Sequence, residues 1–383
     1  MHPMLKPALR RAWRERQTVQ FGVTPAHAVT VGPVDTATGA LLELFDGTRG
    51  LPLLREEARA MGLPDGHVDA LVSRFSAAGL LDDPTAGGPA AEALRGRSAA
   101  ADRLRPDLAA LSVVHREPGG GIRRLAARRA MGVQVRGAGR VGAAVAALLS
   151  AAGVGRVEVV DGGRAEPWDV APGGLPPDAV GERRDAAAGR LVRESAPLPP
   201  PRRPAGGGAG DGRGGAGLSL VVVCPRDGLA AHAPDPALAA GWIATGTPHL
   251  YAGVVEGTGV VGPLVLPGGT GCAGCLELAR AERDPGWPRL LAQWRSGGRR
   301  APAPSCELSL ATAVAGTAAA HALSFLDGEL PASTGARWET SLPLLDWRSG
   351  PVPPHAGCAC GASGRSEGQG TSGFGPSHDT MAG

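Results

Sequence analysis

The sequence predicts an α/β protein in which a small winged-helix α+β domain precedes a Rossmann-like domain. Residues 133–149, VQVRGAGRVGAAVAALL, place a β-branched run, a Gly-x-Gly-x-x-Gly turn and an alanine-rich helix in succession. Upstream, two segments of alternating hydrophobicity precede three segments with apolar residues at helical spacing. The chain of 383 residues is long enough for two or three domains of ordinary size.

Composition and charge restrict the class of protein. The net charge is only +3, and Lys6 is the single lysine. Because a GC-rich genome favours arginine, the arginine content does not by itself indicate nucleic-acid binding. The basic start of the chain is not followed by the apolar run of a signal peptide, so we expect a cytoplasmic protein. In that compartment the six cysteines are expected to be metal ligands or reactive thiols rather than disulfides.

One segment has the length of a membrane span. LSLATAVAGTAAAHALSFL, residues 308–326, could cross a bilayer, but alanine dominates it and its hydrophobicity is weak. We therefore expect a buried helix and no membrane contact, with His321 as a core or interface histidine.

Residues 17–83 form the predicted winged-helix domain. TVQFGV and AHAVTVG alternate like the two strands of a hairpin, and Asp35 is a candidate N-cap for the first of three amphipathic helices. A DNA-binding winged helix needs several cations on its recognition helix, but the last helix offers only Arg74 against Asp65 and Asp69. The charge pattern therefore disfavours nucleic acid as a partner.

The same domain resembles the PqqD-like peptide-recognition element of enzymes that modify ribosomal peptides. The resemblance depends on LFDGTRGLPLLREEA and VDALVSRFSAAGLLDD, with landmarks at Asp46, Gly47 and residues 79–81. It implies that an extended leader peptide adds a strand to the edge of the hairpin and is held by main-chain hydrogen bonds. We expect the peptide at the edge formed by TVQFGV or in the helix groove beside it.

The glycine turn is suited to the close approach of a phosphate. Gly137 permits the tight turn, Gly139 lets the backbone approach an anion, and Gly142 lets the next helix pack closely. With Ala138 they form a candidate cofactor-binding loop at a helix N-terminus, which favours anions. Asp161, at the end of the next predicted strand, is placed to accept hydrogen bonds from ribose hydroxyls. These features predict the fold but do not distinguish NAD from ATP.

The segments AAGVGRVEVVDG and VGERRDAA resemble the ThiF/MoeB family, relatives of the ubiquitin-activating enzymes. The resemblance covers residues 121–361 and implies a ThiF adenylation fold with a zinc knuckle. It implies that ATP with Mg²⁺ adenylates the carboxylate of a peptide or small protein, and that the protein is a homodimer. The rest of the chain is predicted to form a linker with one helix over 84–120, a flexible insertion at 196–217 and a disordered tail at 362–383.

Several positions depart from the ThiF pattern. Two glycines follow Asp161 where the family has Asp-x-Asp, and VAPGGL at 170–175 replaces the family's Asn-Leu-Gln-Arg. Arg184 stands at the position of the phosphate-contacting lysine, and Asp227 falls one place after the expected acid. Arg184 and Asp227 are the candidate catalytic residues of this site. The departures leave an alternative function, a non-catalytic scaffold that presents a leader peptide to a partner enzyme.

Four of the cysteines occur in two close pairs. Cys272 and Cys275 have Cys-x-x-Cys spacing, and Cys358 and Cys360 follow in PHAGCACG. Four thiolates are the ligand set of a structural tetrahedral Zn²⁺ site. The positions match the family's zinc knuckle, except that the second pair is Cys-x-Cys. His355 is an alternative to one of the sulfurs.

The other two cysteines have different predictions. Cys306 corresponds to the cysteine that carries sulfur or a thioester in some ThiF/MoeB relatives. Because a thiolate at a helix N-terminus is an activated nucleophile, Cys306 is a candidate catalytic residue, with an unreactive thiol as the alternative. Cys224, at a strand end, is expected in the core. RAERDPGWP, residues 280–288, resembles ThiF-like proteins that accompany YcaO cyclodehydratases, which implies a partner modifying enzyme.

Overall fold

The computed structural model describes residues 1–201, 218–226, 228–296 and 304–363. The chain forms two compact units. The first contains Met1–Gly132, Ala147–Val157 and the described part of Val192–Gly206, and the second contains the described parts of Val133–Ala146, Glu158–Leu191 and Gly207–Gly383. The predicted insertion at 196–217 and the predicted tail at 362–383 lie largely outside the described residues.

The N-terminal part of the first unit combines a three-stranded antiparallel sheet with three helices. Its strands are β1 (Met4–Leu5), β2 (Arg11–Glu15), β3 (Thr18–Phe21), β4 (Val29–Val31) and β5 (Leu81–Asp82), and its helices are α1 (Thr36–Glu43), α2 (Leu51–Ala60) and α3 (His67–Ala77). Strands β2, β3 and β4 pair in that order, and β1 pairs with β5. The Asp35 side chain accepts a hydrogen bond from the Thr38 amide and caps α1, as the sequence predicts.

The position of β3 corrects one prediction. The segment TVQFGV contains β3, which pairs with β2 on one side and with β4 on the other. It is therefore the central strand and has no free edge for a peptide. The sequence does not predict β2, because its residues RAWRE are all exposed and show no alternation of buried side chains. The free edges of this sheet are those of β2 and β4.

An apolar core holds these elements together. Phe21 of β3 meets Phe75 of α3 edge to face, with 5.7 Å between the ring centroids. Leu80 is fully buried in the same cluster. Gly47 and Gly79 have φ angles of +81° and +73°, a region that strains residues with a side chain. Both landmarks of the peptide-recognition resemblance are therefore turns that depend on glycine.

Helices occupy the stretch in which the sequence predicts a linker with one helix. α4 (Gly88–Arg95), α5 (Ser98–Arg103), α6 (Arg105–Val114) and α7 (Gly120–Arg128) follow β5. They bury a separate apolar cluster that includes Leu94, Leu104, Leu111 and Leu125. The surrounding alanine, glycine and arginine residues obscure the spacing of these leucines, which is why composition indicates a connector.

The second unit is built on a seven-stranded sheet. The strands are β6 (Gly132–Arg136), β7 (Arg156–Val160), β8 (Leu220–Val223), β9 (His249–Val255), β10 (Thr258–Val265), β11 (Ala336–Ser341) and β12 (Arg348–Pro351). Their order in the sheet is β12-β11-β10-β9-β8-β6-β7. Strands β6, β8 and β9 are parallel, and β9 to β12 alternate in direction. The predicted α/β class is confirmed.

Seven helices accompany this sheet in the described residues. They are α8 (Arg140–Ala151), α9 (Arg184–Ser195), α10 (Gly228–His232), α11 (Pro236–Thr245), α12 (Ala273–Arg283), α13 (Trp287–Ser296) and α14 (Leu308–Leu326). Helix α14 is the segment with the length and composition of a membrane span. One of its faces is buried, and it packs on β9 and β10. It is therefore a core helix of the second unit, with His321 half-buried against the Trp338 ring.

Candidate functional site

Two of the three glycines in the turn between β6 and α8 are required by the packing of the protein itself. Gly137 has a φ of +103°, and a Cβ there would lie 1.9 Å from the Cys224 carbonyl oxygen. A Cβ at Gly142 would lie 2.0 Å from the Gly137 carbonyl oxygen. Both positions therefore need glycine. At Gly139 a Cβ would make an ordinary 3.4 Å contact with Arg226 Cγ, so packing does not require this glycine.

Asp161 connects the turn to the end of β7. Its Oδ2 accepts from the Ala138 amide at 2.9 Å, and its Oδ1 accepts from the Gly163 amide at 2.8 Å and from Arg184 Nε at 3.0 Å. Only 8% of the side chain is exposed. Three donors from the protein leave this carboxylate about one acceptor direction for a ribose hydroxyl. Asp161 therefore has a structural role in the turn, and its sugar contact stays a prediction.

Arg184 and Arg226 converge on two further acids beside the turn. Asp169, with a side chain only 3% exposed, accepts from Arg226 Nε at 2.7 Å and lies 3.5 Å from Arg184 Nη1. Glu166 accepts a hydrogen bond from the same Arg226 guanidinium. With Asp161, three carboxylates surround the two guanidiniums. A phosphate approaching Arg184, the predicted contact, has to compete with these carboxylates.

Glu166, Trp168 and Asp169 also lie at this site, although the sequence does not predict them. They lie in EPWD, a single 3-10 turn in which Glu166 and Asp169 cap each other's backbone amides. The Arg226 Cζ atom lies 5.7 Å from the centroid of the Trp168 ring, which is 45% exposed. The signal that could have predicted them is a pair of acids three residues apart, shortly after Asp161 at the end of β7. Asp227, the predicted acid, lies outside the described residues.

Arg140 joins the turn to the segment that contains Cys306. Its Nε donates to the Trp168 carbonyl oxygen and its Nη1 to the Cys306 carbonyl oxygen, both at 2.7 Å. Burial raises the pKa of the Cys306 thiol more than the charge of Arg140 lowers it. The N-cap of α14 is Glu307, so the thiol does not occupy the helix terminus. Both features favour the unreactive thiol over an activated nucleophile, and the catalytic role of Cys306 stays a prediction.

The four paired cysteines meet in one cluster. Cys272 occupies the N-cap position of α12, Cys275 lies in the first turn, and Cys358 and Cys360 follow β12. The Sγ atoms are 3.8 Å apart for Cys272 and Cys275, and 3.6 Å apart for both Cys272–Cys358 and Cys275–Cys360. A tetrahedral zinc with Zn–S bonds of about 2.3 Å places its sulfurs about 3.8 Å apart. The described cluster therefore fits a structural Zn²⁺ ion.

His355 does not replace one of these sulfurs. Its Nε2 lies 2.9 Å from Glu282 Oε1, and its Nδ1 accepts from the Gly357 amide at 3.1 Å. Both ring nitrogens therefore have other partners. Its backbone amide donates to Cys275 Sγ at 3.3 Å, a contact that stabilises a thiolate ligand.

The winged-helix part of the first unit has a sheet edge beside a helix. Strand β4 leads into Gly32, whose carbonyl oxygen accepts a hydrogen bond from Arg74 of α3. The main-chain groups of β4 and the side of α3 thus lie together, as strand addition by a peptide requires. Arg55 of α2 is paired with Asp69 of α3. The described surface of α3 therefore lacks the cation cluster of a DNA-reading helix.

The glycine turn after β6 and the acid after β7 lie in a segment that matches a known family. Residues 117–198 match the model of the ThiF family. The matched segment includes the turn, Asp161 and Arg184. No match was found among curated protein sequences.

Solved structures share the fold along nearly the whole chain. MccB of E. coli with AMPCPP and MccA is similar with a TM-score of 0.68 and 15% identity, over 94% of this chain and 100% of that chain. MccB with ATP gives a TM-score of 0.67 and 15% identity, over 94% and 99%. The heterocyclase TruD is similar with a TM-score of 0.60 and 16% identity, over 94% of this chain but only 43% of the TruD chain. These likenesses show the predicted ThiF fold, and they extend to most of the chain before the family match at residue 117.

Proposed function

We propose that the protein is a ThiF-type adenylyltransferase that acts on the carboxylate of a ribosomally made peptide. The observation that carries the proposal is the fold shared with MccB over nearly all of both chains. MccB is described as a microcin C7 biosynthetic enzyme, and its structures contain ATP and the MccA peptide. The glycine turn, Asp161 and Arg184 of this chain support the same use of the fold.

In this proposal the turn at 137–142 holds ATP by its phosphates at the N-terminus of α8. ATP would transfer its adenylyl group to the peptide carboxylate with release of pyrophosphate, and Mg²⁺ would offset the charge of its phosphates. Arg184 and Arg226 are two of the cations beside the turn, and they exchange carboxylate partners for phosphate oxygens. Asp161 fixes the turn and offers its remaining acceptor direction to the ribose. Asp227 stays a candidate acid, while we assign no covalent step to Cys306.

We infer that the winged-helix part binds the precursor peptide as an added strand. The β4 edge beside α3 replaces TVQFGV as the place of that strand, because β3 is central in its sheet. A zinc ion at the four-cysteine cluster would brace the second unit and take no part in the chemistry. In this proposal the protein acts in the cytoplasm as a homodimer. It works alongside a partner enzyme that modifies the same peptide.

One observation favours the scaffold as a second candidate function. Three carboxylates already neutralise Arg184 and Arg226, two cations beside the turn that would otherwise bind a triphosphate. If these pairs persist, the protein binds and presents a peptide without activating it. Peptide binding without nucleotide chemistry would be the result.

The test is ATP–pyrophosphate exchange with and without the candidate precursor peptide. The adenylyltransferase should exchange label only when the peptide is present, and Arg184→Gln should abolish that exchange. Arg183→Gln is the matched control, because Arg183 is the exposed neighbour that pairs with Asp185. Circular dichroism of both variants checks that they are folded. Tight peptide binding with no exchange by the unmodified protein would refute the enzyme and leave the scaffold.

A further inference from the structure

A cleft of about 880 Å³ lies between helices α12 and α13 and strands β11 and β12. Its walls include Arg280, Arg283, Asp284 and Trp287 of RAERDPGWP, the motif at 280–288, to whose residues the proposed function gives no contact. None of its lining residues belongs to the glycine turn or to the four-cysteine cluster. The cleft is therefore a separate feature of the second unit.

The floor of the cleft carries more buried positive than negative charge. Arg337 donates to the His232 carbonyl oxygen at 2.6 Å and to Glu339 at 2.6 Å. Arg280 donates to the same His232 oxygen at 2.9 Å, and its Cζ lies 4.9 Å from the Trp287 ring centroid. Burial lowers the pKa of Arg280 to about 10, with the charge of Arg337 acting in the same direction. Two guanidiniums thus share one carbonyl oxygen, while the Glu339 carboxylate pairs with Arg337, so an added anion near Arg280 would be stabilised.

The rim of the cleft suits an extended chain more than a small ion. Strand β12 ends the seven-stranded sheet, all four of its residues are exposed, and in the described part of the chain it pairs only with β11. Its outer main-chain groups can therefore accept another strand. Leu342 and Leu344 on the preceding loop line the same cleft, and Leu344 is 83% exposed. An apolar side chain can cover these leucines while a neighbouring carboxylate reaches the floor.

We propose that this cleft is a second binding site, specific for an extended acidic peptide segment. The segment pairs with β12, places a carboxylate against Arg280 and Arg283, and packs an apolar residue on Leu344. The site works independently of ATP and of the winged-helix part.

The test measures the binding of a fluorescent peptide of alternating leucine and aspartate to the full chain, without nucleotide. Arg280→Gln and Arg283→Gln should each weaken binding about tenfold, because each removes a charge-assisted hydrogen bond. Arg289→Gln is the control, since Arg289 is an exposed residue of α13 outside the cleft. The rim residue Arg283 keeps the test valid if Arg280→Gln perturbs the floor.

The charge requirement is tested with a peptide in which asparagine replaces aspartate. It should bind about tenfold more weakly than the aspartate peptide. Equal affinity for both peptides, or affinity unchanged in both cleft variants, would overturn the proposal. The proposal would also be overturned if pyrophosphate binds to the cleft and neither peptide displaces it, because that outcome defines a small-anion site.

Discussion

Replacing Gly137 and Gly139 separately by alanine should separate folding from nucleotide binding. At Gly137 the new Cβ would lie 1.9 Å from the Cys224 carbonyl oxygen, at a φ of +103°. A left-handed φ costs a residue with a Cβ about 1–2 kcal/mol, and relieving the overlap adds about 1–3 kcal/mol. We therefore expect Gly137→Ala to lower the free energy of unfolding by about 2–5 kcal/mol.

Gly139→Ala should leave the fold intact. Its Cβ would make an ordinary 3.4 Å contact with Arg226 Cγ, and φ at Gly139 is outside the left-handed region. The free energy of unfolding should stay within about 1 kcal/mol of the unmodified value. The methyl group nevertheless fills the space through which a phosphate approaches the backbone. We expect the affinity for ATP to fall by at least about tenfold.

Urea unfolding followed by tryptophan fluorescence measures the first quantity, and calorimetric titration with ATP measures the second. Equal destabilisation by the two substitutions would show that the described turn geometry is wrong. A Gly139→Ala protein that binds ATP like the unmodified chain would show that the nucleotide does not occupy this turn.

Three other perturbations test the remaining features. Metal analysis after chelator-free purification should find about one zinc per chain, and Cys272→Ser should lower both the zinc content and the unfolding temperature. An unmodified protein that is free of metal and as stable as the Cys272→Ser variant would exclude the zinc site. Asp169→Asn should lower the free energy of unfolding by about 3 kcal/mol, because two guanidiniums then face a neutral amide. Asp185→Asn, at a carboxylate that pairs with the exposed Arg183, should change it by less than about 1 kcal/mol, and urea curves that coincide for both variants would contradict the network. Iodoacetamide should modify Cys306 slowly at neutral pH and faster only at a pH above the ordinary pKa of a thiol, because burial raises the pKa of Cys306. Rapid modification at pH 7, measured by mass spectrometry, would instead reveal an activated thiolate.

The sequence by itself determined the features that depend on local spacing. The glycine turn is recognisable from its Gly-x-Gly-x-x-Gly spacing between a β-branched run and an alanine-rich helix. The two cysteine pairs are recognisable because each is close enough in the chain to reach one ion. The helices of the winged-helix part are visible from their apolar spacing and from the cap at Asp35.

Only the tertiary structure decided which distant side chains meet. Arg226 reaches Glu166 and Asp169, about sixty residues earlier in the chain, because β8 brings its end to the glycine turn. The direction of His355 towards Glu282 likewise depends on a partner far away in sequence. The central place of β3 depends on the pairing of β2, which has no buried residue to reveal it in the sequence. Side-chain direction and strand order are set by long-range burial and hydrogen bonding, and no spacing within a single segment encodes them.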